Sequence, residues 1–293
     1  MSANREQWVG VCYATLSVLL FASFTLFSRL GLATGLRPVD VAALRFTIGG
    51  VLLSPVLVRR GFSALRCRDA LGLAFCGGFG FAFFAYAGFW LAPAAHGSVL
   101  LHGTIPIFTQ CLTPSVAGGR RHRRTAATLL IASGVLAMAY DSLAAARGRQ
   151  LVGDGALLVA SLLWSAYGVR ARSSKLAPGH AAALVAVLSM ACFLPIYALI
   201  PHQALFAIGA GQLLLQAAVQ GVLVGALSIF VYTRAVASLG PATTSLFTAA
   251  VPCLTTLAAI PLLGEIPSIV GLSGVGLVTL GMALGLRSPA LVR

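Results

Sequence analysis

Acidic side chains are scarce: six Asp and Glu stand against twenty Lys and Arg in 293 residues. Only Asp40, Asp69, Asp141, Asp154 and Glu265 follow the first apolar run, all at the ends of apolar stretches or in loops. That leaves little for an enzyme built on paired carboxylates. No Gly-x-Ser-x-Gly or HExxH pattern accompanies His96-Gly97-Ser98 and His102, so a serine hydrolase or a zinc peptidase has no motif to stand on. Cys12, Cys76, Cys111, Cys192 and Cys253 fall inside apolar runs and Cys67 in an Arg-rich loop. With no CxxC or metal spacing they read as packed free thiols, and no metal or cofactor is expected. No soluble stretch is long enough to serve as an effector region, which weighs against a non-transporting scaffold or sensor. Charge of either sign is low: 9% of residues are charged, where a soluble domain has about a quarter.

What is present instead is apolar. Hydrophobic residues make up 59% of the chain, and mean hydropathy is +0.95. The runs recur at the roughly 20-residue length a helix needs to cross about 30 Å of hydrocarbon, without the period-2 alternation of barrel strands. They predict an all-α integral membrane protein with ten transmembrane helices near 8–28, 39–58, 70–91, 97–117, 125–140, 155–170, 180–200, 212–232, 243–263 and 266–286. The first run is longer than a signal-peptide core, lacks a cleavage site and is followed by Arg29, so it reads as a retained span.

Basic residues fix the orientation. With the N-terminus inside, Arg5, Arg59, Arg60, Arg66, Arg68, Arg120, Arg121, Arg123, Arg124, Arg170, Arg172, Lys175, Arg234, Arg287 and Arg293 face the cytoplasm. Arg29, Arg37, Arg147 and Arg149 face outward, and Arg45 lies within the second span. The bias predicts both termini inside, in a multi-pass protein of the cell (inner) membrane. The formal charge of +14 thus belongs to topology and a lipid bilayer, and no nucleic-acid partner is expected.

The chain repeats itself at an offset of 146. Ser28-Arg29-Leu30 falls on Ser174-Lys175-Leu176, Tyr86 on Tyr232, Pro106 on Pro252 and Gly118 on Gly264. Pro38 and Gly134 match Pro178 and Gly281 after small shifts. Two halves, 1–149 and 150–293, then hold five spans each, and the odd number places them in opposite orientation. Such inverted repeats often put a solute site near the midplane.

Proline in a helix interior removes a hydrogen bond and crowds the carbonyl four residues earlier. Pro106 and Pro252 are therefore expected to act as kink hinges that open the backbone near His102 and Thr248, which are themselves 146 apart. Helical geometry puts Ser98, His102 and Thr109 within about 40° of one another, and likewise Thr244, Thr248 and Thr255. The functional reading is a central cavity between spans four and nine, with His102 binding solute and open to titration. The simpler reading is hydroxyls satisfying local carbonyls and His102 bonding within the bundle. Aromatic candidates for the path are Tyr86 and Trp90 on span three, Trp164 and Tyr167 on span six and Tyr232 on span eight. Trp and Tyr ordinarily anchor interfaces, which suits Tyr232; Trp164, near mid-span, suits it less. Tyr13 and Ser17 are weaker candidates. Gln216 and Gln220 form an i, i+4 pair that lines a vestibule or bonds internally. Arg45 is expected to snorkel to the outer rim or to reach Asp40, a structural role, with substrate contact as the weaker alternative. Glycines of span ten, including Gly281-x-x-x-Gly285, offer close packing within the bundle or in a dimer, so monomer and homodimer both stay open.

Leu44-Arg45-Phe46, Pro106-Ile107-Phe108, the run from Tyr232-Thr233-Arg234-Ala235 through Pro252 to Leu263-Gly264-Glu265, and Gly153-Asp154 followed by Leu163-Trp164-Ser165-Ala166-Tyr167 resemble the drug/metabolite transporter superfamily, within it the EamA-type permeases. The resemblance covers essentially the whole chain. It implies ten helices in two five-helix units and metabolite export as the commonest role, with no substrate indicated. One departure stands out: Gly264-Glu265 in the second half answers to Gly118-Gly119-Arg120 in the first. Ahead of Pro267, Glu265 is expected to meet the dipole of the last helix, worth about 0.3–1 kcal/mol, a structural role favoured over proton coupling.

The expected function is secondary transport of a small-molecule solute by alternating access. Phosphorylated solutes would call for several buried cations, and only Arg45 is available; a bulky cation would call for a midplane acid. A neutral or zwitterionic, amino-acid-like metabolite remains, with another organic solute exchanged by the same superfamily as the alternative. Solute exchange, facilitated diffusion and proton antiport through His102 are all open.

Overall fold

The computed structural model describes residues 2–61, 66–113, 121–144, 148–201, 204–205 and 207–286. Gly118, Gly119 and Arg120 lie outside them, as does the side chain of Asp141. Among the described residues the chain is helical and contains no strand. The elements are α1 (Ser2–Ala33), α2 (Pro38–Arg60), α3 (Cys67–Gly77), α4 (Phe79–Leu91), α5 (Ala94–Gly97), a π-helical segment (Ser98–Gly103), α6 (Ile105–Leu112), α7 (Arg121–Ala144) and α8 (Gly148–Ser173). They continue with α9 (Pro178–Ala198), α10 (Ala210–Gln216), a second π segment (Ala217–Ser228), α11 (Ile229–Leu239), α12 (Pro241–Phe247), a 3₁₀ turn (Thr248–Ala250), α13 (Val251–Leu263) and α14 (Ile269–Leu286).

Seven of these stretches are long and apolar enough to cross a membrane: Arg5–Ala33, Pro38–Arg60, Cys67–Leu91, Gly148–Ser173, Pro178–Ala198, Ala210–Leu239 and Pro241–Leu263. Of the three other expected spans, the apolar parts of α7 and α14, Thr125–Met138 and Ile269–Gly285, are shorter. The remaining one, expected at 97–117, is helical from Ala94 through the π segment to Gly103, interrupted at Thr104 and helical again over Ile105–Leu112, with 114–117 outside the described residues.

Local chemistry sets the boundaries. Pro38 and Pro178 open α2 and α9 in the first turn, where a missing N–H costs nothing. Asp40 accepts the backbone N–H of Arg37 at 3.0 Å, satisfying a donor at the start of α2. Gly264 ends α13 in the left-handed conformation. At Gly78, between α3 and α4, the Phe79 N–H donates to Ser189 Oγ at 3.1 Å.

Close packing depends on small residues. A Cβ on Gly134 would stand 2.6 Å from the Gly274 carbonyl oxygen, and one on Gly281 would stand 2.8 Å from that of Ala127, so α7 and α14 touch backbone to backbone. Between the halves, a Cβ on Gly49 of α2 would come within 2.8 Å of the Gly225 carbonyl. A Cβ on Gly225 would meet the Arg45 carbonyl at 2.5 Å. This crossing draws Arg45 toward the middle of the bundle. Around the outside stand Leu52, Phe83, Leu129, Leu136, Leu214 and Leu280, exposed apolar side chains suited to lipid.

Candidate functional site

The site begins where two helices stop being α-helical. Pro106 has no N–H to offer the His102 carbonyl, and just before it the backbone passes through the π segment and Thr104. The freed carbonyl is met across the repeat: Thr248 Oγ1 lies 3.1 Å from His102 O and 2.7 Å from Ser245 O, so its one proton is shared between a contact to the other half and a local bond. Pro252 does the same to the carbonyl of Thr248, and the helix there tightens into the 3₁₀ turn. The two residues matched by the 146-residue offset thus meet at the interruption of both helices.

The His102 ring is buried, with 2% of its surface exposed. It stacks on Phe21 at 5.3 Å between centroids, and its Nδ1 has no hydrogen-bond partner. Beside it lies a central cavity lined by Phe21, Phe24, Arg45, Phe81, Leu101, His102, Ile105, Trp164, Val224 and Ser228. Its volume is about 10 Å³, room for roughly one water. The cavity is closed.

α8 presents Leu157, Ala160, Ser161, Trp164, Ser165, Tyr167 and Gly168 to the core, a stripe at helical spacing. Trp164 packs on Phe81 at 4.7 Å, Tyr232 at 5.1 Å, Tyr167 at 5.2 Å and Phe21 at 5.5 Å. Tyr167 and Tyr232 form the back of this cluster. The Tyr167 hydroxyl shares a 2.6 Å hydrogen bond with Thr233 Oγ1. Tyr86 donates to Gln220 Oε1 at 3.0 Å, and Gln220 donates on to Ser28 Oγ at 3.0 Å.

The hydroxyl stripes divide. Ser98 donates to Ala95 O at 2.9 Å and Thr244 to Gly240 O at 2.8 Å, both local bonds. Thr109 and Thr255 are buried, and their hydroxyls have no partner. None of these four lines the cavity. Gln216 donates to Phe27 O at 2.9 Å and does not bond Gln220. Trp90 is exposed, with Arg149 over its ring at 5.8 Å.

Arg45 differs from expectation. It is 1% exposed, reaches no rim, and lines the cavity with its guanidinium 5.2 Å from the Phe24 ring and 5.3 Å from that of Phe81. Asp40 is engaged elsewhere, accepting from the Tyr197 hydroxyl at 2.6 Å. Glu265 also differs: α14 starts only at Ile269, and the carboxylate accepts from Arg29 and from the Ala94 N–H at 2.6 Å. Near it a second cavity of about 310 Å³ is lined by His96, Gln150, Glu265 and Ser268 among others. His96 there pairs with Asp154 at 3.1 Å. Among the described residues no group of three His, Cys, Asp or Glu could hold a metal ion.

Sequence reasoning passed over Phe21, Phe24, Phe81 and Ser228. The phenylalanines look like any core residue in an apolar run; Ser228 sits four residues before Tyr232, which was the only signal available.

The EamA-like transporter family matches residues 8–140 and again 151–287. The chain belongs to the EamA-like transporter family. Two family repeats therefore fill almost the whole chain, and a membrane transporter of the drug/metabolite type is the activity that goes with them. No curated protein sequence matches it. Among the solved structures that share the fold is a crystal structure with a TM-score of 0.68 at 21% identity, covering 96% of this chain and 98% of that one.

Proposed function

We propose that this EamA-family protein is a secondary transporter that exports a small neutral or zwitterionic, amino-acid-like metabolite by alternating access across the inner membrane. In this reading the chain crosses the bilayer ten times with both termini in the cytoplasm. Residues 1–149 and 150–293 form inverted halves that rock about Pro106 and Pro252. The observation that carries it is the closed cavity beside the His102–Thr248 contact, where two repeat-related helices are interrupted together. Interrupted helices leave polar backbone at membrane depth, which is tolerated where it is buried in protein or lines a solute path. His102 and Trp164 touch the solute; Tyr86, Tyr167 and Tyr232 hold the aromatic wall in place, and Ser98, Thr109, Thr244 and Thr255 tune the flanking helix faces.

The test is uptake and counterflow in liposomes with a radiolabelled panel of amino acids and organic metabolites, with and without a pH gradient, for wild type and His102→Ala. Saturable flux that falls about tenfold or more in His102→Ala is expected, since a group that touches the solute once the cavity has opened to admit it contributes directly to passage. Counterflow exceeding net flux would identify exchange. Unchanged flux in His102→Ala would remove the histidine from the path.

A further inference from the structure

A guanidinium at 1% exposure inside a hydrophobic bundle normally has a counter-ion. Arg45 has none among the described side chains. Glu6 is paired with Arg234, Glu265 with Arg29 and Asp154 with His96. Asp40 binds Tyr197 and backbone N–H groups, and Asp69 is exposed at the start of α3. The Phe24 and Phe81 rings, at 5.2 and 5.3 Å, offset part of the charge through their π faces. They accept no N–H in the guanidinium plane, and Nε and Nη1 remain without hydrogen-bond partners. Both facts hold in the closed cavity that Arg45 shares with His102, Trp164 and Ser228.

We infer that Arg45 is the anchor for a carboxylate on the transported solute. This deepens the transport reading and rests on it. A carboxylate supplies the missing charge and the missing acceptors together, and a planar guanidinium matches it better than any other side chain. The rest of the solute is apolar or aromatic, because Phe21, Phe81 and Trp164 form the facing wall. Its amino group is dispensable, since no acidic side chain lines the cavity to receive it. The Gly49–Gly225 crossing is what delivers the anchor: it brings the α2 backbone at Arg45 against the second half, so the charge is held at the interface that must open and close.

The experiment is isothermal titration of the purified full chain in nanodiscs with four probes: L-phenylalanine, 3-phenylpropionate, its neutral amide and 2-phenylethylamine. The two acids are expected to bind, and the amide and the amine at least about tenfold more weakly. Arg45→Gln is expected to abolish this preference, and Arg45→Lys to retain part of it. The wild-type comparison needs no variant, so it stands even if Arg45→Gln fails to fold. Amine or amide binding as tight as the acids, or no binding of either acid, overturns the inference. Counterflow separates the two claims. Flux of an amine or an uncharged solute with no acid binding leaves transport standing and Arg45 without this role. Acid binding that depends on Arg45 while no solute moves leaves the anchor standing and the transport reading wrong.

Discussion

One ion pair stands toward each end of the bundle, and the two pairs are held by different amounts of chemistry. At one end Arg29 gives Nε (3.0 Å) and Nη2 to Glu265 and Nη1 to the Phe89 carbonyl at 2.7 Å, while Glu265 accepts the Ala94 N–H at 2.6 Å. α1, the α4–α5 connection and the segment after α13 are stitched together by two side chains about a fifth to a quarter exposed. At the other end Glu6 meets Arg234 at 2.7 Å and Ser238 at 2.9 Å, with the Glu6 side chain 52% exposed. That contact joins only α1 and α11. Shielded, multiply bonded charges resist water and salt better than a single exposed pair. The comparison teaches that the Glu265 pair is the more firmly held of the two; under the proposed orientation it lies at the outer side, where it would serve as a gate. Its asymmetry is already in the primary structure: the repeat sets Arg29 against Lys175, but Glu265 against Gly119.

Breaking the stronger end should have the largest effect. Glu265→Gln leaves Arg29 without its counter-charge, and losing a charged hydrogen bond of this kind costs about 2 kcal/mol. A cysteine placed at Ala95, beside the adjoining cavity, is expected to react at least about tenfold faster with an impermeant thiol reagent in that variant. An unchanged rate would mean that the ion pair does not gate. Next comes Thr248→Val, which deletes the hydroxyl shared between His102 O in the other half and Ser245 O in its own helix. We expect a loss of about 1 kcal/mol in stability, read from denaturation in detergent, and equal changes in labelling at both ends. A one-sided change would place that hydroxyl in one gate rather than at the pivot. The smallest effect belongs to Glu6→Gln, for which labelling at that end of the bundle and the melting temperature should barely move, because an exposed pair contributes little.

Much of this was legible in the chain, for physical reasons that can be named. Membrane-length helices follow from apolar length alone. The break near His102 follows from Pro106, since no interior helix can supply its missing N–H. The offset of 146 also marked Thr248 as the partner position before any contact was known. What escaped was set by long-range geometry. Arg45 lies deep because Gly49 and Gly225, 176 positions apart, let two backbones touch, and no periodicity within α2 carries that information. Glu265 meets Arg29 across 236 positions, whereas its local sequence pointed only to the next helix. Phe21 and Phe24 became cavity walls through the packing of α1 against the other half, which single-residue hydrophobicity does not encode.

The most direct measurement places a single cysteine at Ser228, a cavity-lining position where the change is nearly isosteric, in a background without the exposed native cysteines. An impermeant thiol reagent is applied from each side of oriented liposomes in turn, and counterflow is measured after labelling. The account predicts reaction from both sides, faster during turnover, and loss of counterflow once Cys at this position is modified. Labelling from one side only, or full counterflow after complete labelling, would contradict a solute path that passes through this cavity by alternating access.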